Sequence, residues 1–162
     1  MLLLVAGAIA ASISFFRNTS HSLEAPISNV PAQKVVQKRP VPLDPLVRKV
    51  AHEFVHTAVS RQNLGKAYDL VNRDLKGTMT RAQWEKGNIP VVYYPPNLIG
   101  EVYHVSYSYA DEALLEVGLV SKDPGTRRMT FYIGLVKDPA TKRWLVNYWV
   151  PHYRPPVPLT PS

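Results

Sequence analysis

In Val102-Tyr103-His104-Val105-Ser106-Tyr107-Ser108-Tyr109, bulky and polar side chains alternate for the seven residues from Tyr103 onward, the period-two pattern of a strand with one buried face. Three more runs of strand character follow it: Ala113 to Val120, Met129 to Val136 and Trp144 to Val150. Their connections, Ala110-Asp111-Glu112, Asp123-Pro124-Gly125-Thr126 and Asp138-Pro139-Ala140-Thr141, are short and built from turn residues, so the four runs predict an antiparallel meander. Alternation assigns four core rows. These are Tyr103, Val105, Tyr107 and Tyr109; Leu115, Val117 and Leu119; Met129, Phe131, Ile133 and Leu135; and Trp144, Val146, Tyr148 and Val150. His104, Ser106 and Ser108, with Leu145, Asn147 and Trp149, fall on the second face.

Upstream of the meander the period changes. Asp44-Pro45 is a cap followed by a first-turn proline, and Val47, Val50, Ala51, Phe54, Val55 and Ala58 recur at amphipathic spacing, predicting a helix to about Arg61. Asn63-Leu64-Gly65 ends it. A second short helix is expected over Lys66 to Val71, and a third from the cap Thr80 through Trp84 to the stop at Gly87. Ile89 to Pro96 is too proline-bound for a central strand and reads as an edge strand or extended loop. Helices first and hairpins afterwards is an α+β order, with a sheet of four to five strands.

The chain before Pro45 has a different composition. Residues 1–16, MLLLVAGAIAASISFF, carry no charge and would span ~24 Å as a helix, short of the ~30 Å hydrocarbon core. They read as a membrane anchor or signal segment. Residues 17–44 are rich in Ser, Asn and Pro, with Pro26, Pro31, Pro40 and Pro42, and read as an extended linker. The expected organisation is therefore a segment 1–16, a linker 17–44, a single domain 45–153 and a Pro-rich tail 154–162. The expected location is a cell membrane reached through residues 1–16, with the domain on the extracytoplasmic side.

Composition removes several functional classes. The chain has no cysteine, which excludes disulfides, thiolate metal sites and a Cys nucleophile. Its net charge of +7 is spread thinly, with no basic run interleaved with aromatics, so nucleic acid is not an expected partner. Protein partners or a homo-oligomer are expected instead, and no cofactor.

A helical first third with a Trp-bearing third helix, Thr80-Arg81-Ala82-Gln83-Trp84, precedes a meander ending in an aromatic strand, Trp144-Leu145-Val146-Asn147-Tyr148-Trp149. Over residues 45–153 this resembles the nuclear-transport-factor-2-like superfamily. The resemblance implies a cone in which helices plug a bent sheet. That superfamily includes ketosteroid-isomerase-type enzymes, non-catalytic domains, and membrane-tethered domains of bacterial secretion and conjugation machines.

Three candidate sites emerge. His52-Glu53-Phe54-Val55-His56 matches H-E-x-x-H, in which His52 and His56 would ligate Zn²⁺ and Glu53 would polarise the bound water of a peptidase. The pattern lacks a recognisable third ligand, and both histidines fall on the flank and back of the apolar stripe, where a solvated polar face is the simpler expectation. An isomerase-like site would need an acid within the cone, whereas Glu101, Asp111, Glu112 and Glu116 lie at strand ends, in a turn, or away from the Tyr row. The third is an apolar pocket at the cone mouth lined by Trp84, Tyr107, Tyr109 and Tyr148. No catalytic residue is assigned, and the expected function is that of a non-catalytic interaction or assembly domain, with the zinc peptidase and the small-ligand or isomerase-like enzyme as alternatives.

Overall fold

The computed structural model describes residues 38–153. The apolar segment 1–16, the linker up to residue 37 and the tail 154–162 lie outside the described residues.

Asp44 starts the first helix, α1 (Pro45–Phe54), because its side chain accepts from the Leu46 amide at 2.9 Å and Pro45 needs no partner for a missing N–H. The helix then changes pitch. Val55–Val59 form a π-helical turn, in which the Thr57 and Ser60 hydroxyls donate to the carbonyls of Glu53 and His56 at 2.7 and 2.6 Å. The expected single helix to Arg61 is thus an α-helix plus a π turn, and the widened turn lets Val55, Ala58 and Val59 all reach the core.

Three short helices follow, each opened by a side-chain cap. α2 (Leu64–Leu70) is capped by Asn63, α3 (Arg73–Lys76) by Asn72, and α4 (Arg81–Glu85) by a capping box between Thr80 and Gln83. α3 is an addition to the expected three helices; with four residues it is too short to show a hydrophobic period. Trp84 on α4 is fully buried, edge-on to Tyr68 with ring centroids 6.0 Å apart.

The sheet is a four-stranded antiparallel meander in the order β1-β2-β3-β4, formed by β1 (Leu98–Ser108), β2 (Glu112–Ser121), β3 (Met129–Lys137) and β4 (Trp144–Pro151). The fold is α+β, as expected, with four strands. Residues 89–96 make no strand. They form a loop whose Ile89, Val91 and Tyr94 are buried, tied down where the Tyr94 hydroxyl meets the backbone of Leu119, Ser121 and Arg127 at 3.1 Å each.

Two register shifts re-sort the expected core rows. Val105 pairs with Leu115, but Tyr107 pairs with Leu114, so the extra residue Ser106 moves Tyr107 to the outer face and puts Ser108 inside. In β4, Val146 pairs with Leu135 while Tyr148 pairs with Gly134, so Asn147 is the extra residue. Tyr148 therefore lies on the outer face and Trp149, expected there, lies in the core. Trp149 stacks on Phe131 at 4.4 Å and meets Phe54 edge-on at 5.6 Å, joining sheet to helix. A bulge flips every later side chain, which simple alternation does not register.

Residues 38–44, the end of the expected linker, lie against this unit. The Val41 amide donates to the Ser108 carbonyl at 2.9 Å, and Lys38 bridges Asp111 and Glu112 at 3.1 and 2.9 Å.

Candidate functional site

His52 and His56 stand four residues apart, where successive turns bring side chains to the same side of a helix. Their ring centroids are 4.3 Å apart. Both face one carboxylate, that of Glu101 near the start of β1. Glu101 pairs with Leu119 and so shares the inward row with Tyr103 and Val105.

His52 Nδ1 lies 2.9 Å from Glu101 Oε2, and His56 Nε2 contacts Glu101 Oε1. The Tyr103 hydroxyl donates to Oε2 at 2.8 Å. Burial, reinforced by that hydrogen bond, pushes the Tyr103 phenol well above its ordinary pKa, so it stays protonated and acts as a fixed donor. The Glu101 side chain is only 10% exposed, against 62% for His52 and 37% for His56. The result is a shielded carboxylate with a two-imidazole rim open to solvent. One ligand atom from each of the three residues lies within 4.8 Å of the others.

Glu53 is not part of this arrangement. Its carboxylate pairs with Lys66 on α2. The two histidines of H-E-x-x-H thus converge, but the glutamate beside them is Glu101 from the sheet, and the position that supplies a peptidase's base is engaged elsewhere. His52 and His56 do reach solvent, as expected of a polar face, and in addition both pair with Glu101. Glu101 was the residue missed. Its signal was parity, since it stands two residues before Tyr103 and therefore on the core row, where an acid needs partners. The acid and phenol sought for an isomerase-like site are likewise adjacent in Glu101 and Tyr103, but they bond to each other.

The four aromatic residues of the expected pocket are divided. Trp84 is 0% exposed within the helical layer. Tyr107 and Tyr148 line a shallow hollow on the outer sheet face with Glu112, Leu114, Gly134 and Asn147. Tyr109 stacks on Tyr107 at 5.1 Å. The Tyr107 hydroxyl donates to Glu112 at 2.9 Å, and partial burial, then this bond, leave its pKa pushed up to about 12. Lys38 foremost, then Tyr107, hold the Glu112 carboxyl below its ordinary value.

A second titratable group spans the same face. His152 Nδ1 lies 2.9 Å from Glu116, its ring stacks on Tyr132 at 4.5 Å, and its Nε2 is 3.3 Å from the Tyr132 hydroxyl. These contacts tie the end of β4 across β3 to β2.

No family model, curated protein or solved structure matches the chain.

Proposed function

We propose that this chain is a non-catalytic interaction domain of the nuclear-transport-factor-2-like type, held at a membrane through residues 1–16 with its folded part on the extracytoplasmic side, and that it pairs with a second copy of itself. The observation that carries this reading is the outer face of the sheet. The inner row of β2 is buried at every position, and the outer row, with its neighbours, presents Val102, Tyr107, Leu114, Val120, Tyr132 and Tyr148 to solvent in whole or part. Val102 is 54% and Tyr148 45% exposed. A half-apolar sheet face of this kind is a contact surface.

Its details favour a copy of itself. Gly118 lies in a hollow beside Val102, and Gly134 in one beside Tyr148, so the face carries both projections and recesses. Glu116 and Arg128 border one of those hollows, and a surface bearing both signs matches its own image across a two-fold axis. Tethering at a membrane would favour the pair further by raising local concentration. Helices leading into a meander, with Trp84 buried beneath them, support the cone reading.

A photo-crosslinking residue at Val102 or Tyr148 in the full chain, in membranes, is expected to yield a covalent pair of chains, and one at exposed Lys49 is not. Val102→Glu is expected to abolish the pair without changing the circular dichroism. Crosslinks from Val102 and Tyr148 only to other proteins would sink the self-pairing reading.

A further inference from the structure

We infer that His52, His56 and Glu101 form a binding site for a divalent transition metal, Zn²⁺ by its chemistry, that clips α1 to the edge strand β1. The donor set selects the ion. Two imidazole nitrogens and one carboxylate oxygen suit zinc and its first-row neighbours, whereas Ca²⁺ and Mg²⁺ take oxygen ligands.

Geometry supports it. A zinc held at ~2.0–2.1 Å by each donor places tetrahedral ligand atoms ~3.3 Å apart. Here the donor atoms already lie within 4.8 Å of one another, with His52 Nδ1 and Glu101 Oε2 at 2.9 Å. Rotation of the two imidazoles toward solvent, which both rings reach, would admit the ion between them and the carboxylate. The partners come from two elements about fifty residues apart in sequence, so the metal would cross-link the first helix to the sheet.

Charge supports it independently. Glu101 is the shielded member of the cluster, and among the described residues its ion-pair partners are these two histidines, with no lysine or arginine. A dication would place a permanent positive charge beside this shielded carboxylate, where no described lysine or arginine does so. Tyr103 then takes the outer role that metal-bound carboxylates commonly require, a donor at 2.8 Å fixing the carboxylate's orientation.

The site shares the two-histidine, one-glutamate donor set of some zinc peptidases but differs from them in lacking the adjacent base, since Glu53 is paired with Lys66. Three protein ligands leave a further position facing solvent beside His52, for water. The inference does not depend on the pairing of chains proposed above, and its test is separate.

The full chain, purified in detergent and stripped with chelator, is titrated with ZnCl₂ against a chromophoric competitor, and with CoCl₂ to read the visible spectrum. One ion per chain is expected, with a cobalt spectrum of low coordination number and a higher melting temperature. His52→Ala, His56→Ala and Glu101→Gln should each weaken binding at least a hundredfold, and Tyr103→Phe by about ten- to a hundredfold. Glu53→Gln should leave it unchanged. His52 is more than half exposed, so His52→Ala leaves the fold intact and decides the matter even if Glu101→Gln does not fold. Absence of stoichiometric zinc, or zinc binding that survives His52→Ala, overturns the inference; loss with Glu53→Gln assigns the metal to a different site.

Discussion

Asp44 has two jobs at one carboxylate. One oxygen caps α1 through the Leu46 amide, and the other accepts from the Trp144 indole at 2.8 Å, tying the helix start to β4. The Trp144 bond first, and the Leu46 amide next, hold its pKa below the ordinary carboxylate value. A depressed folded-state value means that the stabilisation is complete above the ordinary carboxylate range and is lost as pH falls through the lower one. Asp44→Ala is therefore expected to cost about 1–2 kcal/mol in urea unfolding at neutral pH, with the difference from the parent chain shrinking as pH falls toward acid. An unchanged difference at acid pH would mean that the carboxylate charge is not what stabilises this corner. Gly134 shows the opposite constraint: a Cβ there would sit 2.8 Å from the Tyr148 Cβ, so the close crossing beside the Asn147 bulge requires glycine.

Among the elements, the loop 89–97 carries more of the fold than its lack of regular structure suggests. It passes between the π turn and the sheet, where the Tyr94 amide donates to Val59 and Arg61 donates to the Val91 carbonyl at 2.6 Å. The Trp149 indole donates to the Val92 carbonyl at 3.2 Å. Tyr94 is the anchor, since its hydroxyl accepts from the Ser121 amide while facing two carbonyls. Tyr94→Phe keeps the ring against Phe131 but orphans these buried groups, for an expected loss of about 1–3 kcal/mol in chemical denaturation. A loss near zero would show that water reaches them. The prolines at 90, 95 and 96 suit this role, because they favour extended backbone and ask for no amide partner.

At the scale of the molecule, the folded unit and the composition boundary do not coincide. Lys38, Val41 and Asp44 belong to the packed region through their contacts with β1, the β1–β2 turn and β4, although the prolines at 40 and 42 give them a linker's composition. A fragment starting at Lys38 is expected to melt with the same midpoint as the full chain. One starting at Pro45 is expected to melt on the order of 5 °C lower or more, from losing the cap and the strand contact. Equal melting of the two fragments, followed by differential scanning calorimetry, would place residues 38–44 outside the cooperative unit.

The amino-acid pattern by itself determined the α+β order, the caps at Asp44 and Thr80, the first helix and all four strands, because capping and two- or 3.6-residue periods are local properties of neighbouring residues. Only the tertiary structure decided which aromatics face inward, where the helix widens, and that Glu101 completes the pair His52 and His56. The two bulges are set by how β1 and β4 fit their partners, and the carboxylate arrives from a strand whose distance along the chain no local spacing encodes.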